Sequence, residues 1–220
     1  MHLGLRLLFG FFLVTGLAAF FVLRVFVTEV KPSVREVMED MLVDTSNILA
    51  ELASDDLAAG RIANGTFAQR VTSYAVRPID AQIWGVSKQS LDFRVYVTDI
   101  KGVVQFDSEG AATGQDYSQW RDVARTLRGE YGARATRQVQ HDDRTSVMYV
   151  AAPVEHDGRI IGVLTVAKPV ATMAAFIDRA ERKILLRGAL LLVLSLSIGV
   201  AVTLWLVWRV RQLRRYANAI

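Results

Sequence analysis

Two long apolar stretches lie near the ends of the chain and frame its organisation. Residues 7–23 are 17 consecutive positions without a charge, and residues 188–208 are another 21. A helix rises about 1.5 Å per residue, so the second stretch spans roughly 30 Å, the hydrocarbon thickness of a bilayer. Because a helix satisfies its own backbone hydrogen bonds in lipid, both stretches are predicted to be transmembrane helices.

The first stretch has one alternative interpretation, a cleaved signal peptide with Arg6 as its positive flank. Its apolar residues continue through Val27, which is longer than the core of a typical signal peptide. Arg24 stands near the end of the stretch, where its stem can carry the charge to the interface. The transmembrane interpretation is therefore favoured.

Between the apolar stretches, the first periodic segment is helical. Pro32 is predicted to open a helix that runs to about Ala59. Its apolar positions follow heptad spacing at Val34, Met38, Met41, Thr45, Ile48 and Leu52. Such a seam favours a helix that packs on its own sheet and also pairs with its twin in a dimer.

Shorter elements follow. Thr66 is predicted to cap a short helix that ends before Pro78, and Ser118 to cap another that closes at Gly129. Alternating positions predict a strand pair at 93–98 and 103–106, and a third strand at 134–139. The Asp157-Gly158 turn predicts a hairpin of strands 147–154 and 160–166. The order predicts an α+β domain with a five-stranded antiparallel sheet and a long N-terminal helix.

After the last strand, Pro169 is predicted to begin a helix that continues into the second apolar stretch. Met173, Ile177, Ala180 and Ile184 keep helical spacing up to that stretch, with no break signal between them. A row of small residues inside it, Ser195, Gly199 and Thr203, is of a type that lets helices approach closely. The last strand of the sheet is therefore predicted to be connected by helix to the other side of the membrane.

The charges follow the same division. All 22 Asp and Glu residues lie between Glu29 and Glu181 together with 19 Lys and Arg residues, so the middle segment has a net charge of −3. The basic excess lies in or beside the apolar stretches, so no nucleic-acid partner is implied. Four arginines directly follow the second stretch: Arg209, Arg211, Arg214 and Arg215. They favour a cytoplasmic C-terminus, with the middle domain outside the membrane.

No constellation for catalysis or metal binding stands out. The three histidines, His2, His141 and His156, lack metal-ligand spacing. The paired carboxylates Asp55-Asp56 and Asp142-Asp143 lie beside loop signals and are interpreted as solvated. A phosphate-binding loop, a nucleophile elbow and an H-E-x-x-H motif are missing from the sequence. We therefore predict no catalytic residue, no metal site and no cofactor in these 220 residues.

The middle segment resembles the extracytoplasmic PAS-like (PDC/Cache) sensor domains of bacterial receptors. The motifs that carry the resemblance are Val95-Tyr-Val-Thr-Asp99, Gly102-Val-Val-Gln-Phe-Asp-Ser108, Gly114-Gln-Asp-Tyr117, Val150-Ala-Ala-Pro153 and Ile161-Gly-Val-Leu-Thr-Val-Ala-Lys-Pro169. Further motifs look like the sensor half of CreC-type sensor histidine kinases. They are Val30-Lys-Pro32, Asp116-Tyr-Ser-Gln-Trp120, Leu127-Arg-Gly-Glu-Tyr-Gly-Ala-Arg134 and Ser146-Val-Met-Tyr-Val-Ala-Ala-Pro153.

The resemblance implies the input half of a dimeric inner-membrane sensor histidine kinase of a two-component system. It divides the chain into 1–27, the N-terminus and first span; 28–183, the periplasmic sensor domain; 184–208, the second span; and 209–220, the start of a HAMP linker helix. In that family, ATP and Mg serve a kinase core after HAMP, which phosphorylates a response regulator. This chain has no residues of that core.

The resemblance also implies where a small periplasmic ligand would bind. Related domains use the sheet face beyond the first hairpin, so Tyr96, Thr98, Tyr149 and Thr165 are expected there, with Arg134 and Lys168 nearby as anion anchors. Basic residues of citrate- and fumarate-sensing relatives are replaced here by apolar or aromatic ones, so a polycarboxylate would lack charge partners. The alternative is that these residues fill a small core without a ligand.

Two other functions stay open for the whole protein. The same input module could serve a chemotaxis transducer or a cyclic-dinucleotide enzyme, or the chain could be a stand-alone membrane-tethered binding protein. The residues that follow Ile220 would distinguish these, because a kinase requires a histidine-bearing helix after HAMP.

Overall fold

The computed structural model describes residues 2–83, 85–137, 139–140 and 145–217, without the side chains of residues 2–8, 26–31, 175 and 210–217. The predictions made for His141, Asp142-Asp143 and the end of the linker helix at Ile220 fall outside the described residues. The chain divides into two compact units, Met1–Pro32 with Ile177–Ile220, and Ser33–Phe176. Two long helices, α1 (His2–Ala58) and α4 (Ala171–Ala217), contribute residues to both units.

The first unit contains the apolar helices. Within Ala171–Arg209 of α4, mean hydropathy reaches 2.6, and this is the one helix among the described side chains that is long and apolar enough to cross a membrane. The apolar part of α1 is shorter there, at Phe9–Val25. The prediction of a membrane-spanning second helix is supported by length and composition, and the first span stays a prediction.

These two helices pack against each other within the first unit. A Cβ placed on Gly199 would collide with the ring of Phe11, and one placed on Gly188 would lie 3.5 Å from Cδ1 of Leu23. Gly188 of α4 lies near Leu23 of α1, and the later Gly199 lies near the earlier Phe11, so the two helices are antiparallel. Gly199, predicted to allow close approach, does so here toward α1 of the same chain.

The second unit is the folded domain. After α1 its elements are α2 (Thr66–Ala75), β1 (Ala81–Ile83), β2 (Val86–Lys88), β3 (Arg94–Asp99), β4 (Val104–Asp107), α3 (Arg121–Thr126), β5 (Gly132–Arg137), β6 (Ser146–His156) and β7 (Arg159–Pro169). Five strands form one antiparallel sheet in the order β4-β3-β7-β6-β5. The α+β fold predicted from the sequence is confirmed.

The central strand is β7, which pairs with β3 on one side and β6 on the other. The β6–β7 hairpin turns at Asp157 and Gly158, whose φ angles are 51° and 72°. Two consecutive positive φ angles match the twist of the flanking strands, and Asp-Gly favours them, so the hairpin prediction is confirmed. The strand that leads to α4 therefore lies in the middle of the sheet.

One face of the sheet packs on α1 and α2. The apolar core there includes Met38 and Leu42 of α1, Phe67 of α2, and Val97 and Leu164 of the sheet. A second stripe on α1 points away from this core, because Val37, Met41, Ile48 and Leu52 are between 61% and 64% exposed. The heptad positions predicted from the sequence are therefore divided between an inward and an outward stripe.

Of the three prolines used as helix boundaries, Pro78 follows the end of α2 as predicted, whereas Pro32 and Pro169 are not the first residues of helices. Pro32 lies inside α1 instead of opening it. One proline removes one backbone hydrogen bond, and a helix can continue through it when both flanks are helical. Pro169 is the last residue of β7, and α4 begins at Ala171.

Two cap predictions were also wrong, and one hairpin was missed. Thr66 is already helical, and no side-chain cap hydrogen bond is present at the start of α2 or of α3, whose N-cap is Trp120. The backbone N–H of Phe67 in α2 donates instead to Asp56 of α1 at 2.7 Å. The β1–β2 hairpin has three residues in each strand, too few for alternation to be visible in the sequence.

Candidate sensory site

The sheet face away from α1 and α2 carries five of the six predicted site residues. Tyr96 of β3 pairs with Thr165 of β7, and Arg134 of β5 pairs with Tyr149 of β6. Thr98 follows Tyr96 by two positions, so its side chain is on the same face. Helix α3 covers this face, which we call the α3 face.

A buried carboxylate lies at the centre of the α3 face. Asp122, in the first turn of α3, is fully buried. Its carboxylate accepts hydrogen bonds from the hydroxyl of Tyr96, from Oγ1 of Thr165 at 3.3 Å and from Nε of Arg134 at 2.5 Å. The three donors come from three strands. One side chain of α3 therefore links the helix to β3, β5 and β7.

The guanidinium of Arg134 is clamped between two aromatic rings. Its Cζ lies 3.9 Å from the ring centre of Trp120 and 3.6 Å from that of Tyr149. Tyr117 stacks on Trp120 with ring centres 3.5 Å apart, and meets Tyr96 edge-on at 5.3 Å. Stacking of this kind fixes the plane of a guanidinium and adds cation–π attraction. The donor toward Asp122 is thus held in one orientation.

The electrostatics of the cluster favour the charged pair. Burial raises the pKa of Tyr96 well above its ordinary value, and the neighbouring Asp122 carboxylate raises it further, so the phenol stays protonated as a donor. Burial acts to lower the pKa of Arg134, but the effects of Asp122 and Tyr96 together outweigh it and the net shift is upward. The arrangement is a neutral phenol and a cation around one carboxylate.

Two buried polar atoms next to the cluster have unused hydrogen-bonding capacity. Among the described residues, Oγ1 of Thr98 and Nη2 of Arg134 are buried without a hydrogen-bond partner. Such groups cost free energy when they stay unpaired. The α3 face therefore has donors beyond those that Asp122 uses.

A second ion pair fixes the loop before α3. Arg94 donates from Nε and Nη2 to the two carboxylate oxygens of Asp107, at 3.0 and 2.9 Å. The N–H of Ala112 also donates to Asp107, at 2.9 Å. Burial raises the pKa of Asp107, but the hydrogen bonds from Arg94 and the backbone outweigh it and hold that pKa below its ordinary value. The loop that delivers α3 to the sheet is anchored by a charged pair.

The sixth predicted residue, Lys168, is not brought to this site. It follows Thr165 by three positions, and an odd offset along a strand puts a side chain on the opposite face. Its amino group lies 3.9 Å from Oδ2 of Asp92 and 4.6 Å from the ring centre of Phe93. Burial lowers the pKa of Lys168.

Open space lies beside and behind the α3 face. A cleft of about 330 Å³ borders Arg134 and is also lined by Arg35, Arg121 and Arg125. A larger cavity of about 690 Å³ lies on the helix side of the sheet, between α1 and α2, with Leu49 among its lining residues. Neither includes Tyr96, Thr98, Tyr149 or Thr165 among its lining residues.

Within the described part of the chain, no group of three His, Cys, Asp or Glu residues could hold a metal ion.

Sequence reasoning missed Asp122, Trp120 and Tyr117 as members of this site. The hydrogen-bond partners of Asp122 are 26, 12 and 43 positions away in the chain. Such separations leave no local spacing signal. Trp120 entered the sequence analysis only as the end of the motif Asp116–Trp120, although its ring lies over the charged Arg134.

A comparison with known proteins finds a close relative. The chain is 49% identical over its whole length to "Sensor protein CreC" of Escherichia coli (strain K12). The resemblance to CreC-type sensor proteins is confirmed. The chain spans 46% of the length of that protein. No protein-family model matches the chain.

Solved structures give more distant likenesses. The sensor domain of the V. cholerae histidine kinase DctB is 12% identical, with 67% of this chain and 57% of that one covered and a TM-score of 0.44. The ligand-binding domain of the Campylobacter jejuni chemoreceptor Tlp3, in complex with 4-methylisoleucine, is 17% identical, with 74% and 62% covered and a TM-score of 0.47.

Proposed function

We propose that the chain is the sensory input half of an inner-membrane sensor histidine kinase. The observation that carries the proposal is its similarity along the entire length to a sensor protein about twice as long. In the proposed whole protein, a kinase core uses ATP and Mg to phosphorylate a response regulator, which is a separate partner protein. The role of the 220 residues is to receive a periplasmic stimulus and pass it inward.

The proposed topology has two spans, at residues 1–27 and 184–208, with the sensor domain 28–183 in the periplasm and residues 209–220 beginning a HAMP helix. The length and hydropathy of α4 support the second span. The antiparallel packing of Phe11 on Gly199 supports the first, because the apolar surfaces of both helices then share one lipid layer.

Topology can be tested directly because the chain contains no cysteine. A cysteine placed at Ala111, an exposed position in the loop after β4 of the sensor domain, is expected to react with an impermeant maleimide added outside spheroplasts. A cysteine placed at Arg214 is expected to react only after permeabilisation. Labelling of both positions from the same side would refute the two-span topology.

The stimulus is proposed to act on the α3 face. Tyr96, Thr98, Arg134, Tyr149 and Thr165 are the residues that a small periplasmic ligand would meet there. Support comes from the convergence of three donors on one carboxylate position and from the two buried atoms that have no partner. Lys168 lies across the sheet and has no direct part in this site.

Transmission is proposed to run through β7 into α4. The strand carries Thr165 at the site, and two hydrogen bonds secure its end, from Val170 N to Ser146 O at 2.8 Å and from Thr172 Oγ1 to Pro169 O at 2.7 Å. A shift of the strand would therefore be delivered to the start of the helix. A continuous helix transmits such a shift better than a broken one.

The test of transmission is a helix break. Ile184→Pro, in the full-length protein, is expected to leave ligand binding intact and to abolish the response of autophosphorylation. Proline removes a backbone hydrogen bond and clashes with the preceding turn. Ile184→Ala is the matched control, since alanine keeps the helix. A normal response in Ile184→Pro would refute the proposed route.

Dimerisation is proposed along the outward stripe of α1. Val37, Met41, Ile48 and Leu52 form a line of exposed apolar side chains on one helix, which suits pairing with its twin. Ile48→Glu is expected to shift the protein from dimer to monomer in analytical ultracentrifugation. Asn47→Glu, at an adjacent exposed position, serves as the control.

A further inference from the structure

The carboxylate of Asp122 is bound as a ligand's carboxylate would be bound. Its donors are a phenol, an alcohol and a guanidinium on three different strands, and the acceptor arrives from α3, a separate element. Its side chain is completely buried. A buried carboxylate is stable only when its charge and hydrogen bonds are matched, so the sheet offers a complete carboxylate site.

This site would persist if the carboxylate left it. Arg134 is held by the rings of Trp120 and Tyr149, and Tyr96 is held by the edge contact with Tyr117. The contact of Arg134 with Tyr149 lies wholly within the sheet and does not involve α3, so the orientation of the guanidinium does not depend on Asp122 alone. A preorganised set of donors without its anion is an effective binding site, because little ordering remains to be done on binding.

An external anion can reach Arg134 through the cleft that borders it. The cleft beside Arg134 is lined by Arg35, Arg121 and Arg125, with Glu39 as the one acidic residue among the lining residues described for it. Basic walls raise the local concentration of anions. The unused Nη2 of Arg134 and Oγ1 of Thr98 offer hydrogen bonds that Asp122 does not take.

We propose that Asp122 is an internal ligand. Its side chain fills, from α3, a site on the sheet for a small monocarboxylate, and an external carboxylate binds only by displacing it. This deepens the proposed function by naming the chemical class that the α3 face recognises. The wild-type domain is therefore a weak binder whose affinity is reduced by competition from its own chain.

The test is chemical rescue in the full chain, reconstituted in lipid nanodiscs. Asp122→Ala removes the internal carboxylate and leaves its three donors. Sodium acetate, compared with sodium chloride at equal ionic strength, is expected to raise the unfolding temperature of this variant by several degrees, because binding to the folded state stabilises it. The same acetate concentration is expected to leave wild type nearly unchanged, with an apparent Kd weaker by roughly tenfold or more.

Two controls connect the effect to this site. Asp116→Ala removes an exposed carboxylate of the loop before α3 and is expected to respond like wild type. Asp122→Ala combined with Arg134→Met is expected to lose the acetate effect. Equal shifts in wild type and Asp122→Ala, or no shift in either, would overturn the proposal. An unchanged acetate effect in the double variant would do the same.

Should Asp122→Ala fail to fold, Asp122→Asn keeps the shape of the side chain and removes its charge. Amide hydrogen exchange in α3 is then expected to accelerate roughly tenfold or more relative to Asp116→Asn, because the link from helix to sheet is weakened. Unchanged exchange would overturn the proposal. Acetate binding needs no kinase domain, so a failed Ile184→Pro experiment would refute transmission and leave this result standing.

Discussion

Replacing Arg134 with methionine removes the cation that faces the buried carboxylate of Asp122 while keeping most of the stem's volume. The side chain of Arg134 is 11% exposed and that of Asp122 is fully buried, so solvent screens the pair little. Removing one partner of a buried pair costs about 3–5 kcal/mol. The hydroxyls of Tyr96 and Thr165 still reach the carboxylate, which places the expected loss near the lower end, at about 3 kcal/mol.

For a domain of this size, a loss of about 3 kcal/mol lowers the unfolding temperature by roughly 6–12 °C. Near-UV circular dichroism of the full chain in nanodiscs is a suitable assay. Arg128→Met is the matched control, because its side chain is 59% exposed and solvent screens its ion pair with Glu130. A loss in Arg134→Met no larger than in Arg128→Met would refute the view that this ion pair holds α3 to the sheet.

Three further outcomes are expected. Gly199→Leu should collide with Phe11 and destabilise the pair of α1 and α4 by about 1–3 kcal/mol, as measured by SDS titration. Gly16→Leu is the control and should leave the stability unchanged, because the space beside Gly16 is open. Asp56→Ala should cost about 1–2 kcal/mol in thermal unfolding by removing the cap of α2. The pKa of Asp107 is lowered in the folded state, so the ionised carboxylate stabilises the folded domain near neutral pH, and this stabilisation is lost as pH falls through the folded-state pKa. Asp107→Asn should therefore flatten the acid limb of a pH–stability profile.

The fold was predictable where local pattern determines structure. The Asp157-Gly158 turn has one favoured geometry, and the alternation on both sides of it fixes which residues face the core. The β1–β2 hairpin lacked both signals because its strands are three residues long. Pro32 was misleading because the cost of one proline is small against the rest of a long helix.

The candidate site was predictable in part. Strand parity agrees with Tyr96 and Thr98 on one face, and the same rule applied to β7 separates Lys168 from Thr165, which stands three positions before it. Asp122 could not be found from spacing, because its partners are brought together only when β3, β5 and β7 pair. In the sequence alone, an aspartate that makes tertiary hydrogen bonds cannot be distinguished from an aspartate on the surface.

The central position of β7 limits the size of any signal that this strand can deliver. Its ladder with β6 includes ten residue pairs and its ladder with β3 six, and both would have to break before it could advance by one residue. A one-residue advance would also invert its side chains and move Leu164 and Val166 from the apolar core to the face where Thr165 now lies. On the proposed route, any displacement delivered to α4 without breaking these ladders is therefore smaller than one strand repeat, roughly 3.4 Å.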